Sequence, residues 1–378
     1  MGNIIDFLKE YGSRTFAEYR FCEVDVLLLA QLSYLKFDGV VPTIGERKRA
    51  VTLAEIDEKM DPDLVFADKW YEKQNKELWA VLLGCKRYST MGCNYYRVRL
   101  EEENETQFGA ITFFPEGCEP VVAFRGTDDS IVGWKEDFNL AFKRPLPSQQ
   151  MSAVYLNQVS CNVPGTFLVC GHSKGGNLAV FASIWADGGV QNKITDVYSL
   201  DGPGFLPEIL SGNSYERIRD RVHRILPYSS LVGMLLQNYE QYEVVKSSAF
   251  GVLQHDCYTW EIENGMLVKA QDIEEKQKRM NEVLNRWIFA LSEQEREMFV
   301  NTLFEVIGET RATTLPEFAG DWKNNFKICL RCLRSLDGDT RKHIRQILKV
   351  LIEIYGSVMG AAVKQELKKN ADKDRLSH

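Results

Sequence analysis

The chain has 378 residues, of which 44% are hydrophobic, so it is long enough for two domains and can fill a sizeable core. Its formal net charge of -7 is spread without long acidic blocks, and the sequence contains no concentrated basic face. This composition argues against intrinsic disorder and against nucleic acid as a partner, because phosphate neutralisation needs clustered Lys and Arg.

The cysteines and the apolar segments bear on the cellular compartment. Nine cysteines have no regular spacing and several lie within apolar runs, which predicts reduced, buried thiols. Cys329 and Cys332 have no second Cys or His pair to complete a zinc site, so no metal is expected. The N-terminal segment lacks the pattern of a secretory signal, and the apolar stretch at 350–363 is too short for a bilayer and contains Glu353. We therefore expect a cytoplasmic protein without a transmembrane segment.

In chain order, the hydrophobic patterns predict helices first and then a sheet. Residues 4–36 have helical periodicity and precede a charged connector. From about residue 94, three short runs rich in aromatic and β-branched residues predict three adjacent strands. Further strands then alternate with helical segments, and they are predicted at 166–170, 194–200, 222–227 and 242–247. This alternation is typical of a mainly parallel sheet with helices on both faces.

The later part of the chain changes from mixed structure to helix. LVGMLL at 231–236 predicts a short apolar helix, and 260–268 predicts a hairpin that turns at Asn264 and Gly265. After about residue 270 the strands stop, and apolar residues recur at helical spacing, with a capping box at Ser292 and Glu295. We therefore predict an α/β domain over residues 1–269 and a helical region over residues 270–378.

The segment FLVCGHSKGGN at 167–177 contains the candidate nucleophile, Ser173. The G-x-S-x-G pattern alone is a weak signal. Here a buried strand precedes the serine and a helix rich in small residues follows it, as expected for a nucleophile on a sharp strand-to-helix turn. Gly171 and Gly175 are required there because a Cβ would collide with the neighbouring strand and helix. The alternative is a glycine-rich loop that binds phosphate, although Lys174 lacks the spacing of such a loop.

His255 is the candidate general base, since a serine hydroxyl is a poor nucleophile without one. His172 adjoins the serine, and His343 and His378 lie in the helical region. His223 opens a strand at the edge opposite to the strand C-terminal ends, whereas His255 lies on a loop beyond a strand. A surface-loop histidine without a catalytic role is the alternative interpretation of His255.

Asp201 is the candidate acid that would fix the tautomer of the base and stabilise the imidazolium. It follows a predicted strand in the turn SLDGPGF, on the same end of the sheet as the serine. The chain order Ser173, Asp201, His255 is the order of α/β-hydrolases. The alternative is an aspartate that caps a turn or a helix. Asp256 is a poor rival, because neighbouring side chains in a loop seldom meet in the geometry that a triad needs.

Acyl transfer also requires donors for the developing oxyanion. One predicted donor is the main-chain N–H of Lys174, directly after the nucleophile, and the other is that of Thr127, after the strand VVAF. The hydroxyl of Thr127 offers a second contact. Gly126 keeps this loop tight, and Arg125 is expected to brace it.

These motifs resemble those of a known family. FRGTDDSIVGWKEDF, followed by GHSKGGNLA and DGPGF, resembles the class 3 lipases and, more broadly, the bacterial lipase-like α/β-hydrolases, over about residues 22–265. The resemblance implies an α/β-hydrolase fold with Ser173 as nucleophile, His255 as base, and Thr127 and Lys174 as oxyanion donors.

The sequence departs from the class 3 lipases at two positions. In those lipases the acid lies after the next strand, where this chain has ILPYSSLVG, with Ser229 and Ser230 but no carboxylate. Asp201 instead matches the arrangement of pancreatic-type lipases, and the alternative is a weaker dyad that has no acid. Lys174 replaces the usual Leu of GHSLGG and places a charge beside the turn.

The sequence thus predicts a serine hydrolase that cleaves carboxylic esters, lipid-like or short-acyl, through an acyl-enzyme intermediate without a cofactor. Thioesterases, amidases and acyltransferases use the same residues and are alternatives. An alternative from another class is a non-catalytic scaffold whose helical region binds a protein partner.

Overall fold

The structure is a computed structural model. It describes the backbone of residues 1–67, 71–128, 130–237, 241–314, 317–318 and 321–376, and the side chains of these residues up to 361. His378, set aside as a base, lies outside the described residues. The chain divides into two compact units, of which the first comprises Met1–Ile273 and Thr313–Ala319, and the second Glu274–Ala312 and Gly320–His378. The division predicted between residues 269 and 270 stays a prediction.

The first unit is built on a nine-stranded mixed sheet. Its strands and those of a small separate hairpin are, in chain order, β1 (Val51–Thr52), β2 (Gly92–Glu101), β3 (Thr106–Phe114), β4 (Val121–Phe124), β5 (Phe167–His172), β6 (Ile194–Leu200), β7 (Val222–Pro227), β8 (Tyr242–Val245), β9 (Ile262–Glu263), β10 (Met266–Leu267) and β11 (Lys269–Ala270). The spatial order is β1-β2-β3-β4-β5-β6-β7-β8-β11, in which β4 to β8 are parallel and the outer strands are antiparallel. The predicted sheet is confirmed.

Helices connect these strands. The helices of the first unit are α1 (Ile4–Tyr11), α2 (Glu23–Leu32), α3 (Leu53–Lys59), α4 (Pro62–Val65), α5 (Glu72–Leu83), α6 (Ile131–Asn139), α7 (Pro147–Asn162), α8 (Lys174–Trp185), α9 (Gly188–Gln191) and α10 (Asn213–Glu216). The connector after residue 36, predicted only as polar, therefore contains three helices. The helix predicted from LVGMLL is instead a single 3₁₀ turn, Val232–Met234. Gly233 lies in this turn and donates its N–H to a side chain, Asp201, at 3.1 Å.

The sheet separates two hydrophobic clusters. In β4, Val121 and Ala123 belong to a cluster with α1, α2 and α5, whereas Val122 and Phe124 belong to a cluster with α7 and α8. Successive strand residues point to opposite faces, so a strand that is apolar at every position is buried on both. Helices on both faces leave the carboxyl ends of β4, β5 and β6 side by side at one edge.

The hairpin of β9 and β10 turns where the sequence predicted. Asn264 has φ 53° and Gly265 has φ 76°. Two successive residues with positive φ form the tight turn that suits the twist of a hairpin. This prediction is confirmed.

The second unit is helical in the part that the structure describes. Its helices are α11 (Glu275–Ala290), α12 (Glu293–Gly308), α13 (Trp322–Ser335) and α14 (Gly338–Leu376). The predicted capping box opens α12, where Ser292 N–H donates to the Glu295 carboxylate at 2.8 Å and Glu295 N–H donates to Ser292 Oγ at 3.3 Å. Trp287 Nε1 donates to Ile347 O at 3.1 Å and joins α11 to α14. Within the described ranges, none of the helices is both long and apolar enough to cross a bilayer.

Candidate active site

Ser173 lies on the sharp turn between β5 and α8. Its backbone has φ 57° and ψ -132°, a conformation that residues with a side chain seldom adopt. Its N–H donates to Leu200 O at 2.9 Å and ties the turn to the end of β6. A strained serine between a strand and a helix is the backbone geometry of a nucleophile elbow.

Two glycines make this turn sterically possible. A Cβ at Gly171 would lie 2.2 Å from the carbonyl oxygen of Gly175, and a Cβ at Gly175 would lie 2.2 Å from the carbonyl oxygen of Phe124. These neighbours are backbone atoms of the strand and the helix, so they cannot move aside. The steric reason predicted for both glycines is confirmed.

His255 and Asp201 are brought together from distant parts of the chain. Asp201 directly follows β6, and His255 ends the 3₁₀ turn Gly251–His255. His255 Nδ1 lies 2.6 Å from Asp201 Oδ2, with the Asp201 side chain 1% exposed and the imidazole 25% exposed. Ser173 Oγ forms no hydrogen bond with any described residue. Catalytic hydrogen bonds are often long until substrate is bound.

The second carboxylate oxygen of Asp201 is also hydrogen-bonded. Asp201 Oδ1 accepts hydrogen bonds from Ser230 Oγ and from Gly233 N–H, the latter at 3.1 Å. Burial opposes ionisation of this carboxyl most strongly, but the hydrogen bonds from His255 and Ser230 hold its pKa below the ordinary value. Ser230 belongs to the segment ILPYSSLVG, where the class 3 lipase pattern would have its acid. This segment therefore supplies a donor to a carboxylate from the neighbouring strand.

His172 fixes the loop that contains His255. Its Nε2 donates to His255 O at 2.8 Å, and its Nδ1 accepts from the Tyr34 hydroxyl at 3.0 Å. Burial lowers the pKa of His172 to about 3, so the ring stays neutral and keeps this tautomer. The two imidazole rings lie 4.6 Å apart between centroids. Neither role was predicted, since no local pattern in the sequence connects Tyr34 with residue 172.

The predicted oxyanion donors come from two elements at the same edge of the sheet. Thr127 follows β4, and Lys174 opens α8. Thr127 Oγ1 donates to Asp137 Oδ2 at 2.6 Å, so its hydroxyl is occupied. The main-chain N–H groups of Thr127 and Lys174 donate to no protein group among the described residues. A Cβ at Gly126 would lie 2.6 Å from His172 O, so this loop packs directly against the end of β5.

The charge of Lys174 is buried and paired. Its Nζ donates to Gln107 O at 2.9 Å, to Gln107 Oε1 at 2.6 Å and to Glu136 Oε2 at 2.8 Å. Glu136 also accepts from the N–H of Gln107 at 2.9 Å and from that of Ser148 at 3.2 Å. Both charged side chains are fully buried. The charge expected beside the turn is therefore neutralised inside the protein.

The rival residues have other partners. His223 Nε2 lies 2.7 Å from Asp196 Oδ1 on the half-exposed start of β7. Asp256 accepts from the N–H of Tyr258 at 2.9 Å, and burial raises its pKa to about 6. No group of three or more His, Cys, Asp and Glu side chains within the described ranges could hold a metal ion.

A mixed sheet with helices on both faces and a serine on a strand-to-helix turn define a lipase-like α/β-hydrolase fold. The chain belongs to the Mbeg1-like family, whose model matches residues 83–305.

Two solved structures are similar to the chain. The crystal structure of M37 lipase has a TM-score of 0.35 and 18% identity, over 55% of this chain and 68% of that chain. The native Rhizomucor miehei lipase propeptide complex has a TM-score of 0.34 and 16% identity, over 58% of this chain and 84% of that chain. No curated protein matches the sequence significantly.

Proposed function

We propose that the protein is a serine hydrolase that cleaves carboxylic esters through an acyl-enzyme intermediate. The observation that carries this proposal is the 2.6 Å contact between His255 Nδ1 and Asp201 Oδ2 at the sheet edge where Ser173 occupies its strained turn. A buried carboxylate bound to Nδ1 leaves Nε2 of the base available for the serine.

Each residue has one role in this reaction. His255 Nε2 takes the proton of Ser173 Oγ as the oxygen attacks the ester carbonyl. The N–H groups of Thr127 and Lys174 stabilise the oxyanion, and Asp201 stabilises the imidazolium. The imidazolium then protonates the leaving alcohol, and water attacks the acyl-enzyme by the reverse sequence of proton transfers.

The surroundings of the base support a lipid-like ester. Phe250, Val252 and Leu253 are 87%, 58% and 67% exposed, and they lie in the segment that leads into His255. Trp134 and Phe138 are exposed on α6, the helix that contains Asp137, the partner of Thr127. Exposed apolar side chains next to a site favour an apolar ligand. The assignment of a reducing, cytoplasmic compartment is likewise our proposal, supported by nine free cysteines.

A fluorophosphonate probe tests the nucleophile. The probe should label the wild-type protein, and Ser173→Ala should abolish labelling, because the probe reacts only with an activated serine. Ser211→Ala is the matched control, since Ser211 is exposed and donates only to Glu208 O. It should be labelled like the wild type. A folded wild-type protein that takes no label would support a non-catalytic scaffold instead. If the wild type is labelled, a series of p-nitrophenyl esters of graded chain length would define the acyl length that the enzyme prefers.

A further inference from the structure

A small cavity lies next to the loop that contains Thr127. It has a volume of about 180 Å³, and its polar lining consists of Lys36, Asp38, Arg99, Gln107, Arg125 and Asp128. One water occupies roughly 30 Å³ in the liquid, so the cavity has room for a group of several heavy atoms. None of these residues takes part in the proposed triad.

Arg125 is the unusual member of this lining. It is 2% exposed, and its Nε and Nη1 have no hydrogen-bond partner within the described residues. A Cβ at Gly109 would lie 2.4 Å from Arg125 Nε, so the absence of a side chain there makes room for the guanidinium. Arg125 was expected to brace the loop that contains Thr127, but these two nitrogens form no hydrogen bond to it. A buried guanidinium with two nitrogens that lack hydrogen bonds is costly, because these nitrogens have lost water and gained no acceptor.

The other charged groups of the cavity compensate this cost only in part. Lys36 forms no ion pair with a described residue. Asp128 accepts from the N–H of Ser130 at 3.0 Å, and Asp38 accepts from the Tyr96 hydroxyl at 3.2 Å. Neither carboxylate forms a hydrogen-bonded ion pair with Arg125 in the described part of the chain. Burial opposes ionisation of Asp128, but the hydrogen bond from Ser130 and the attraction of Arg125 hold its pKa below the ordinary value. Three cationic side chains thus line the cavity against two carboxylates. Arg99 pairs with Glu101, which leaves Lys36 and Arg125 without a hydrogen-bonded anion among the described residues.

We propose that this cavity binds a small oxyanion, namely a phosphate or carboxylate group, between the guanidinium of Arg125 and the ammonium of Lys36. Guanidinium groups match such oxyanions in a bidentate geometry, and a lysine adds a point charge. The anion comes either from solution or from a substrate that contains such a group.

The site is connected to the candidate oxyanion loop. Arg125 is followed directly by Gly126 and Thr127. Gln107 lines the cavity and donates from Nε2 to Gly126 O at 3.3 Å. Its Oε1 accepts from Lys174 Nζ at 2.6 Å. An anion in the cavity would thus lie beside Gln107, which contacts the loop before Thr127 and the side chain of Lys174.

Calorimetry with inorganic phosphate tests the site on the full chain. At constant ionic strength set with chloride, phosphate should bind the wild type saturably at one site. Arg125→Met and Lys36→Gln should each weaken binding about tenfold or more, because each removes a charged donor. Lys59→Gln is the matched control, an exposed lysine on α3, and should bind phosphate like the wild type. No saturable heat in the wild type, or equal binding by all variants, would overturn the proposal.

Thermal unfolding separates binding from a structural role of Arg125. Without phosphate, Arg125→Met should unfold near the wild-type temperature. A neutral side chain of similar size removes two unsatisfied buried nitrogens, and this gain offsets the lost attraction to Asp128. Phosphate should raise the unfolding temperature of the wild type and of Lys59→Gln, but not that of Arg125→Met. Destabilised Arg125→Met, together with a wild type that is insensitive to phosphate, would show a purely structural arginine. If Arg125→Met fails to fold, Lys36→Gln replaces it, and phosphate should raise the unfolding temperature of Lys36→Gln less than that of the wild type.

Ester hydrolysis distinguishes the two sources of the anion. If the substrate supplies it, Lys36→Gln should raise KM for a phosphate-bearing p-nitrophenyl ester and leave KM for the neutral butyrate ester unchanged. Phosphate should then compete with the anionic ester. If the anion is free, phosphate should bind without competing with either ester. Calorimetry does not depend on hydrolysis, so failure of the anion site and failure of the hydrolase proposal can be told apart.

Discussion

Asp201, the acid that we propose for the site, follows β6, a strand that the class 3 lipase pattern leaves without an acid. Its Oδ2 contacts His255, and its Oδ1 accepts from Ser230 and Gly233. The donors on Oδ1 stabilise the ionised form despite burial, and they orient Oδ2 toward the imidazole. A carboxylate that is hydrogen-bonded through both oxygens can fix the tautomer of the base, so no acid is needed after the next strand, β7.

Asp201→Asn should lower kcat for a p-nitrophenyl ester by about 10³ to 10⁴-fold. An amide cannot stabilise the imidazolium and favours the wrong tautomer of His255. Asp256→Asn is the matched control, because Asp256 adjoins His255 in sequence but bonds to Tyr258 N–H instead. It should retain activity within a few-fold of the wild type. Equal losses in both variants, or near-normal turnover in Asp201→Asn with an unchanged circular dichroism spectrum, would contradict the assignment.

At the scale of elements, a buried ion pair joins β3, α6 and α8 beneath the turn. Lys174 opens α8, Glu136 lies in α6, and Gln107 in β3 contacts both of them. The attraction between two buried charges is opposed by the cost of removing both from water, so such a pair adds little net stability. Removing one partner is different, because the other is left buried and alone.

Lys174→Met should therefore reduce the free energy of unfolding by about 3 to 5 kcal/mol. The double variant Lys174→Met with Glu136→Gln should recover part of this loss, since the Glu136 charge is removed and the Gln oxygen still accepts from the N–H of Gln107. The recovery is only partial because Asp137, whose Oδ1 lies 3.9 Å from Lys174 Nζ, also loses the lysine charge. Urea denaturation measures both. Lys76→Met, which breaks the exposed i,i+4 pair with Glu72, is the control and should give no resolvable change. A single variant as stable as the wild type would show that Glu136 becomes protonated or hydrated without cost.

The sequence predicted those parts of the fold and site that depend on local pattern. The turn at Ser173 follows from an apolar strand, two glycines and a helix with small residues, all within 167–185. Asp201 and His255 could be named because each follows a predicted strand. The contacts of Tyr34 and Ser230 could not be predicted, since each connects residues that are far apart in sequence. The helices α3, α4 and α5 were missed because short charged segments have weak periodicity.

At the scale of the whole molecule, the reactivity of the nine cysteine thiols depends on whether the chain is folded and whether the thiols are reduced. Cys161 is exposed, whereas four cysteines of the first unit are buried, namely Cys85, Cys93, Cys170 and Cys257. Burial raises the pKa of Cys85 to about 11 and shifts those of the other three in the same direction. A thiolate is the reactive species, so these buried groups are protected both by access and by protonation.

A thiol reagent applied at pH 7.5 without reductant should react fastest with Cys161, and Cys161→Ser should abolish that fastest phase. The half-exposed thiols should react more slowly in the native chain, namely Cys22, Cys118, Cys329 and Cys332. The four buried thiols should react only as urea unfolds the first unit. Their reactivity and the circular dichroism signal of the protein should therefore change over the same range of urea concentration. In full denaturant all nine should react, because each cysteine is free. The release of fewer than nine equivalents from unfolded protein would indicate a disulfide and contradict a reducing compartment, whereas rapid reaction of the buried four in native protein would show that the first unit opens locally without unfolding.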